Sequence, residues 1–499
     1  MIGEARKQSA AGDMRSALPE GWSRVRLPEI ADITMGQSPP GSTYNSHGEG
    51  LPFFQGKADF GERYPTPKVW CTQPKKIANP GDVLISVRAP VGPTNVADRK
   101  CIIGRGLVAL SPLDGVPSEF LLFALRLQEP QISIGGTGST FTAISKKDIE
   151  GIEISLPPLD EQKRIVAKVE ELLARVNTVR ERLEKAKEIL KRFRQSVLAA
   201  AFTGRLSGDN SDGLPKSADS HQLASDLLEA RKMWSLEVSE KTRLGKATNP
   251  KIQYSEVQPD DISLLQEIPS YWRWTSLSRC TDVTDGTHDS PKYHDTGIPL
   301  ITSKNLKPAG INFKNVKLIS HEDHDGISKR SLVSDGDVLF AMIGTIGNPT
   351  IVDGGHPFSI KNVALFRTFG NLQLAKYLKF WLNSPFVQKY FQETSKGSSQ
   401  PFAPLNVLRR FPIPLPTKSE FDQIISRVEA LFMLADIIEN RVETAKAWAE
   451  KLPQAILAKA FSGELVPTES ELARQEGRSY EPASALLDKI RTLWLGVKP

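Results

Sequence analysis

Leu156-Pro157-Pro158-Leu159-Asp160-Glu161-Gln162 opens a run in which apolar residues recur at Ile165, Val169, Leu172, Val176, Val179, Leu183, Ala186, Leu190, Phe193 and Val197, at spacings that alternate four and three. Prolines followed by acidic residues mark a helix start, and the alternation is the heptad seam of a long helix. The same pattern returns 259 residues later, where Leu415-Pro416-Thr417-Lys418-Ser419-Glu420-Phe421 leads into Ile424, Val428, Leu431, Ala435, Ile438, Val442, Ala445, Ala449, Leu452 and Ile456, again all apolar. A single amphipathic helix usually packs on the core of its own domain, whereas two seams in register predict helices that pair with each other. The 33 residues of each seam, at about 1.5 Å of rise apiece, make a rod of roughly 50 Å, long enough to hold globular domains apart.

Working outward, the whole chain repeats. Leu18-Pro19-Glu20-Gly21-Trp22 returns as Ile268-Pro269-Ser270-Tyr271-Trp272, Gly81-Asp82-Val83-Leu84 as Gly336-Asp337-Val338-Leu339, and Ala201-Phe202-Thr203-Gly204 as Ala460-Phe461-Ser462-Gly463, with the offset growing from 250 to 259. Anchors that keep their order while the offset grows indicate two related domains whose loops differ. The expected organisation is a polar tail (1–17), a first domain (18–156), a central long helix (157–206), a linker with a short helix (207–267), a second domain (268–415), a second long helix (416–465) and a tail with a short helix (466–499).

Within each half, short β-like runs such as Asp82 to Val87 and Asp337 to Met342 are punctuated by Gly and Pro, and a helix candidate follows at Ser118 to Leu127 or Leu372 to Phe391. This predicts mixed α+β domains. A Gly-rich stretch then precedes each long helix, Gly135 to Ser145 in one half and Gly397-Ser398-Ser399-Gln400-Pro401-Phe402-Ala403 in the other. Small donors beside an aromatic suit a phosphate or a base edge.

Composition sets the bounds. The 499 residues carry 39% hydrophobic and 24% charged residues, as an ordinary folded protein does, and no stretch approaches the length of a membrane span. A polar start without an apolar middle and three scattered cysteines, Cys71, Cys101 and Cys280, give the expectation of a reducing cytoplasm. The net charge of +6 is a mild bias toward polyanions; of the two domains only residues 268–415 carry an excess, 17 basic residues against 11 acidic ones, and a further basic excess lies on the central long helix. Phosphate-cradling, dinucleotide, serine-hydrolase and zinc-protease signatures are missing. His321-Glu322-Asp323-His324 is expected to be a solvated loop rather than a metal cluster, and Asp82 and Asp337 are expected to fix turns at strand starts.

With these motifs in place the chain resembles the DNA-specificity subunits of type I restriction-modification systems. The resemblance rests on Leu18-Pro19-x-x-Trp22, on Gly81-Asp82-Val83-Leu84 and above all on Ile154-Ser155-Leu156-Pro157-Pro158-Leu159-Asp160-Glu161-Gln162-Lys163-Arg164-Ile165-Val166 leading into Ala201-Phe202-Thr203-Gly204. The second copy is looser, with Phe421 where the first has Gln162. The resemblance implies an α+β protein with two tandem target-recognition domains separated by a pair of long antiparallel coiled-coil helices, related by a pseudo-two-fold. Each domain would read one half of a split double-stranded DNA target. The rod caps the separation of the halves at roughly fifteen base pairs. It also implies a non-catalytic subunit that binds no cofactor. Two adenine-N6 methyltransferase subunits and ATP-dependent restriction-translocase subunits would be its partners, and S-adenosylmethionine, ATP and Mg2+ would belong to them. Arg175, Arg180, Arg182 and Arg192 are candidates for the docking surface.

The candidate DNA-contacting residues are polar or basic loop positions near the repeated anchors. In the first domain they are Tyr44, Asn45, Gln55, Lys57, Arg88, Arg105, Ser139 and Thr140. In the second they are Thr287, His288, Ser303, Lys304, Asn305, Lys361, Asn362, Ser399 and Gln400. Arg pairs with guanine and Asn or Gln with adenine in the major groove, while Lys mostly holds phosphate. From the residues alone two other readings stay open: a coiled-coil scaffold without sequence-specific DNA binding, and an enzyme built on His321 or His324.

Overall fold

The computed structural model describes residues 17–113, 115–134, 143–207, 216–243, 255–344, 346–394 and 401–495. The chain divides into two compact units, one of residues 1–184 with 443–499 and one of residues 185–442.

In the first unit, Ser23–Arg26 pairs antiparallel with Glu153–Leu156, tying the two ends of the first domain together. Between them an antiparallel sheet runs in the order Ala31–Met35, Leu107–Pro112, Val83–Ser86, Thr94–Val96. A five-stranded sheet of short strands lies beside it and contains one parallel pair, Phe53 opposite Ile102. Alternation along a strand explains how one run serves two cores. Val83 and Ile85 face a cluster with Phe120, Leu121 and Leu125 of helix Ser118–Ile134, while Leu84 faces Phe54 and Ile103 of the second sheet. Each such side chain contributes roughly 1.5–3 kcal/mol by burial.

The second unit repeats this plan. Arg273–Ser276 pairs with Pro412–Leu415, and the central sheet has the order Asp282–Asp285, Val363–Arg367, Val338–Ala341, Gly347–Ile351. A separate three-stranded sheet holds the parallel pair, with Leu300 opposite Ser359. Here the expected helix from Leu372 to Phe391 is two helices, Leu372–Leu382 and Pro385–Thr394. Asn383 ends the first, and Ser384 with Pro385 starts the second, because proline is best placed at the first turn.

The acidic anchors behave as turn residues. Asp82 accepts the Asn79 N–H at 2.7 Å, and Asp337 accepts those of Ser334 and Thr368 at 2.9 and 3.2 Å. Burial pushes the Asp337 carboxyl up to about 6 despite these bonds. The sequence His321 to His324 forms the first turn of helix His321–Ser331 rather than a loop. The Ser320 hydroxyl accepts the Asp323 N–H at 3.0 Å, and acidic residues in the first turn suit the helix dipole.

The long helices span Leu159–Ala201 and Lys418–Phe461. Their starts explain why a tryptophan motif opens each domain. In the first unit Trp22 Nε1 donates to Glu161 at 3.0 Å, and in the second Trp272 Nε1 donates to Glu420 at 3.0 Å, each carboxylate being buried. Glu420 also accepts the Tyr271 hydroxyl at 2.9 Å and closes a capping box with Thr417. Their ends are equally specific. Gly204 (φ +75°) lies where an added Cβ would sit 2.5 Å from Pro269, and Gly463 (φ +80°) where it would sit 2.6 Å from Pro19. Only glycine fits either place.

The seam needs correction. Val179, Ile438 and Leu452 are 45, 40 and 43% exposed, and Ala445 is exposed as well. Ile165 and Val169 join the first domain's core, and Val197, Ile424 and Val428 the second's. Leu172, Leu183, Ala186, Phe193, Leu431 and Ile456 are half-buried, while Val176, Leu190, Ala435, Val442 and Ala449 are buried. A 3.5-residue repeat drifts about 20° per heptad around a straight helix, so a long seam cannot keep every member on one face. Pro453 inside the second helix adds a further irregularity beside Leu452. Polar contacts fill the gaps. In the first unit Arg180 donates to the Ala449 carbonyl at 2.9 Å and Lys446 pairs with Glu184, and in the second Arg194 reaches Asp436 and Glu439.

Candidate nucleic-acid interface

Backbone hydrogen bonds gather one end of the first domain's central sheet into a tight knot of loops. Gly36 and Gln37 donate to the Leu107 and Ile103 carbonyls, both at 3.0 Å. Gly104 donates to Phe54 at 2.8 Å, and Val87 donates to Gly106 at 2.9 Å. Ile144 then closes on the Val87 carbonyl at 2.9 Å. Gln55, Lys57, Arg88 and Arg105, expected from sequence as DNA contacts, are brought together at this end, all exposed. The side chains of Arg88 and Arg105 make no hydrogen bond or ion pair among the described residues, so both guanidinium forks are available. Lys57 starts a single helical turn, Lys57–Asp59, fixed by the Gln55 N–H on Asp59 at 2.7 Å.

Tyr44 and Asn45 are largely used up locally. The Tyr44 hydroxyl donates to the Pro39 carbonyl at 2.7 Å, and the ring packs 4.8 Å from Phe53. Burial, then the neighbouring Cys71, pushes the Tyr44 phenol up against the opposing charge of Arg105. The Asn45 amide donates to the Glu49 carbonyl at 2.8 Å and accepts the Glu49 N–H at 3.0 Å, completing its own turn. Asn45 is therefore a loop former rather than a free reader.

The second domain builds the same knot with different side chains. Gly286 and Thr287 donate to Val363 and Ile360 at 3.0 Å, Lys361 donates to Ile301 at 2.8 Å, and Ala403 donates to Met342 at 2.9 Å. Its side chains are more heavily engaged. His288 lies 2.8 Å from Asp285 through Nε2 and 2.9 Å from the Asn362 side-chain oxygen through Nδ1. Lys361 bonds Ser290, Ser303 donates to the Asn362 carbonyl at 3.3 Å, and the Asn305 amide caps its own turn through Thr302 and Asn312. Thr287 accepts the Asp289 N–H at 3.2 Å, and Lys304 sits in the turn Ser303–Asn305, the counterpart of Lys57. Ser139, Thr140, Ser399 and Gln400 lie outside the described residues.

Arg330 was not anticipated. It projects from helix His321–Ser331, which occupies the place where the second half is longer, and its Nη2 reaches Asp285 Oδ1 at 2.8 Å and the Asp285 and Gly286 carbonyls at 3.1 and 2.6 Å. His324 on the same helix bonds the buried Ser359 hydroxyl at 2.9 Å, beneath the same loops. The Ser320-x-x-Asp323 cap was the available signal for this helix. Among the described residues no group of side chains is placed to hold a metal ion, and no helix is long and apolar enough to cross a membrane.

On the helices, Arg180 is spent on Ala449 and Arg175 pairs with Glu171, while Arg182 and Arg192 are exposed. The sequence reading missed the exposed apolar side chains. Met433, Leu434, Ile437 and Ile438 form a stripe in the second unit, and Trp448 stands 72% exposed in the first.

Residues 19–188 match the family described as type I restriction modification DNA specificity domain. The chain is 41% identical over 203 residues to the putative type I restriction enzyme MjaX specificity subunit of Methanocaldococcus jannaschii, covering 40% of this chain and 46% of that one. It is 28% identical over 485 residues to the EcoBI specificity subunit of Escherichia coli, covering 95% and 93% of the two. The crystal structure of the HsdS subunit from Thermoanaerobacter tengcongensis matches at 55% identity, over 33% of this chain and 40% of that one, with a TM-score of 0.31. The matched part thus spans less than half of the MjaX and Thermoanaerobacter proteins and nearly all of the EcoBI subunit.

Proposed function

We propose that this chain, which belongs to the family of type I restriction-modification DNA specificity subunits, reads a split and asymmetric double-stranded DNA target, one half with each domain. The observation that carries this is the loop knot built twice on one backbone plan with different side chains, available arginines in the first domain and a braced polar ladder in the second. A shared frame places both knots alike on a duplex, and the differing side chains make the two halves of the target differ. The long helices act as an antiparallel coiled-coil spacer, with the two domains in pseudo-two-fold relation, so that a fixed run of base pairs goes unread between the halves.

As a specificity subunit the chain is not the catalyst. It positions two adenine-N6 methyltransferase subunits, which use S-adenosylmethionine, and restriction-translocase subunits, which use ATP and Mg2+. The stripe Met433, Leu434, Ile437 and Ile438, and separately Trp448, supply apolar area for helical partners, with Arg182 and Arg192 as flanking charges. The test is sequencing of modified bases in cells that carry this chain with its methyltransferase, against cells with the methyltransferase alone. N6-methyladenine at one split motif with a fixed spacer, only when the chain is present, supports the reading. Identical methylation patterns despite a co-purifying complex would replace it with a scaffold that does not read DNA.

A further inference from the structure

The two knots differ most at one matched pair of positions. Past the end of Val83–Ser86, Arg88 bridges Ala143; past the end of Val338–Ala341, Ile343 bridges Phe402. The equivalence is set by backbone, since Ile144 closes on Val87 as Ala403 closes on Met342. Where the first domain presents an exposed guanidinium beside a methyl group, the second presents an aliphatic chain beside a phenyl ring. Ile343 is half-buried on the domain core, whereas Phe402 is 47% exposed. The Gly344 N–H on the Pro401 carbonyl at 3.0 Å fixes the segment that carries the ring. On the loops at the same sheet end, His288, Lys361 and Asn305 direct their polar atoms at protein partners. This end therefore offers an apolar contact where its counterpart offers charge.

Thymine alone among the bases shows an apolar group in the major groove, its C5 methyl. We propose that Phe402, supported by Ile343, contacts the methyl group of a thymine in the half-target read by the second domain and is a specificity-determining residue for that half. The inference rests on the function proposed above.

The test uses the full chain with its methyltransferase partner and duplexes carrying the methylated motif, in which each thymine is replaced in turn by deoxyuridine, which lacks only that methyl. The expected result is about a fourfold loss of affinity at one thymine of one half, the worth of a single buried methyl group. Phe402→Ala should bind the thymine and deoxyuridine duplexes equally, and Phe402→Leu should keep most of the difference. The proposal is overturned if no deoxyuridine weakens binding, or if Phe402→Ala still discriminates. It is also overturned if Phe402→Ala weakens every duplex alike, unrelated sequence included, because the ring would then be a stacking wedge. Lack of any sequence preference in the unaltered chain would sink the function itself, a result distinct from sequence-dependent binding that ignores the methyl.

Discussion

Replacing Glu420 by Ala should loosen the second domain and leave the first intact. The carboxylate is buried and accepts the Trp272 indole N–H at 3.0 Å, the Tyr271 hydroxyl at 2.9 Å and both the N–H and hydroxyl of Thr417 at 3.3 and 3.1 Å. Alanine leaves the buried Trp272 indole N–H without its acceptor at about 1–3 kcal/mol, forgoes the Tyr271 bond at about 1 kcal/mol and removes a cap worth about 1 kcal/mol, which gives about 3–5 kcal/mol in all. The loss falls on strands Arg273–Ser276 and Pro412–Leu415 and on the start of the helix Lys418–Phe461. Native-state hydrogen exchange resolves it by segment. Amides of Arg273–Ser276 should exchange roughly a hundredfold to a few thousandfold faster, while those of Ser23–Arg26 stay as they were. Glu420→Gln keeps one acceptor and should cost less. An acceleration below tenfold, or equal loosening of both domains, would refute the view that this carboxylate ties its domain's opening motif to its helix.

Arg88→Ala or Arg105→Ala should relax base preference in one half of the target only, by about 1–3 kcal/mol if the fork pairs with guanine, read from modified-base sequencing; unchanged preference at both halves would remove that residue from the interface. Arg330→Ala should lower discrimination in the other half about tenfold, less in Arg330→Lys, in competition binding, since loss of the charged bonds frees the Asp285–His288 loop. No effect would mean that the backbone bonds of Gly286 and Thr287 hold the loop unaided. Asp337 has an ordinary value of 3.8 and is raised to about 6 in the fold, so the folded state holds an extra proton between those values. Stability of the second domain should therefore fall as pH rises through that window, by about 3 kcal/mol at most, and Asp337→Asn should flatten the slope in denaturant titrations.

Periodicity exposed the long helices and the repeat because apolar spacing survives translation from sequence to helix without knowledge of neighbours. It could not show that Val179, Ile438 and Leu452 face solvent, since heptad drift depends on the real pitch and on Pro453. Several of the loop candidates share one end of their central sheet because the repeated anchors Gly81-Asp82 and Gly336-Asp337 mark strand starts. Whether a polar side chain is free or spent depends on partners distant in sequence. Asn45 folds onto Glu49, His288 reaches Asn362, and Arg330 reaches back to Asp285. The cap at Ser320 was written in the sequence, but four adjacent polar residues read equally well as a loop until the helix beneath the Asp285 loop is seen.

The first unit is assembled from both ends of the chain. Gly463 seats Pro19, the Ala483 N–H bonds the Gly21 carbonyl at 2.9 Å, Arg491 pairs with Glu29 at 3.0 Å, and Leu457, Leu486, Leu487 and Ile490 are buried with Trp22 and Val25. On the ribosome the amino-terminal domain must therefore wait, its core open, until the last helix has been made, while the later domain has every one of its residues by Val442. Birth order and folding order are inverted. A stop codon ahead of Ala483 would injure the domain translated first, by removing Leu486, Leu487 and Ile490 from its core, and quality control of the nascent protein would meet an unfinished first domain for most of its synthesis.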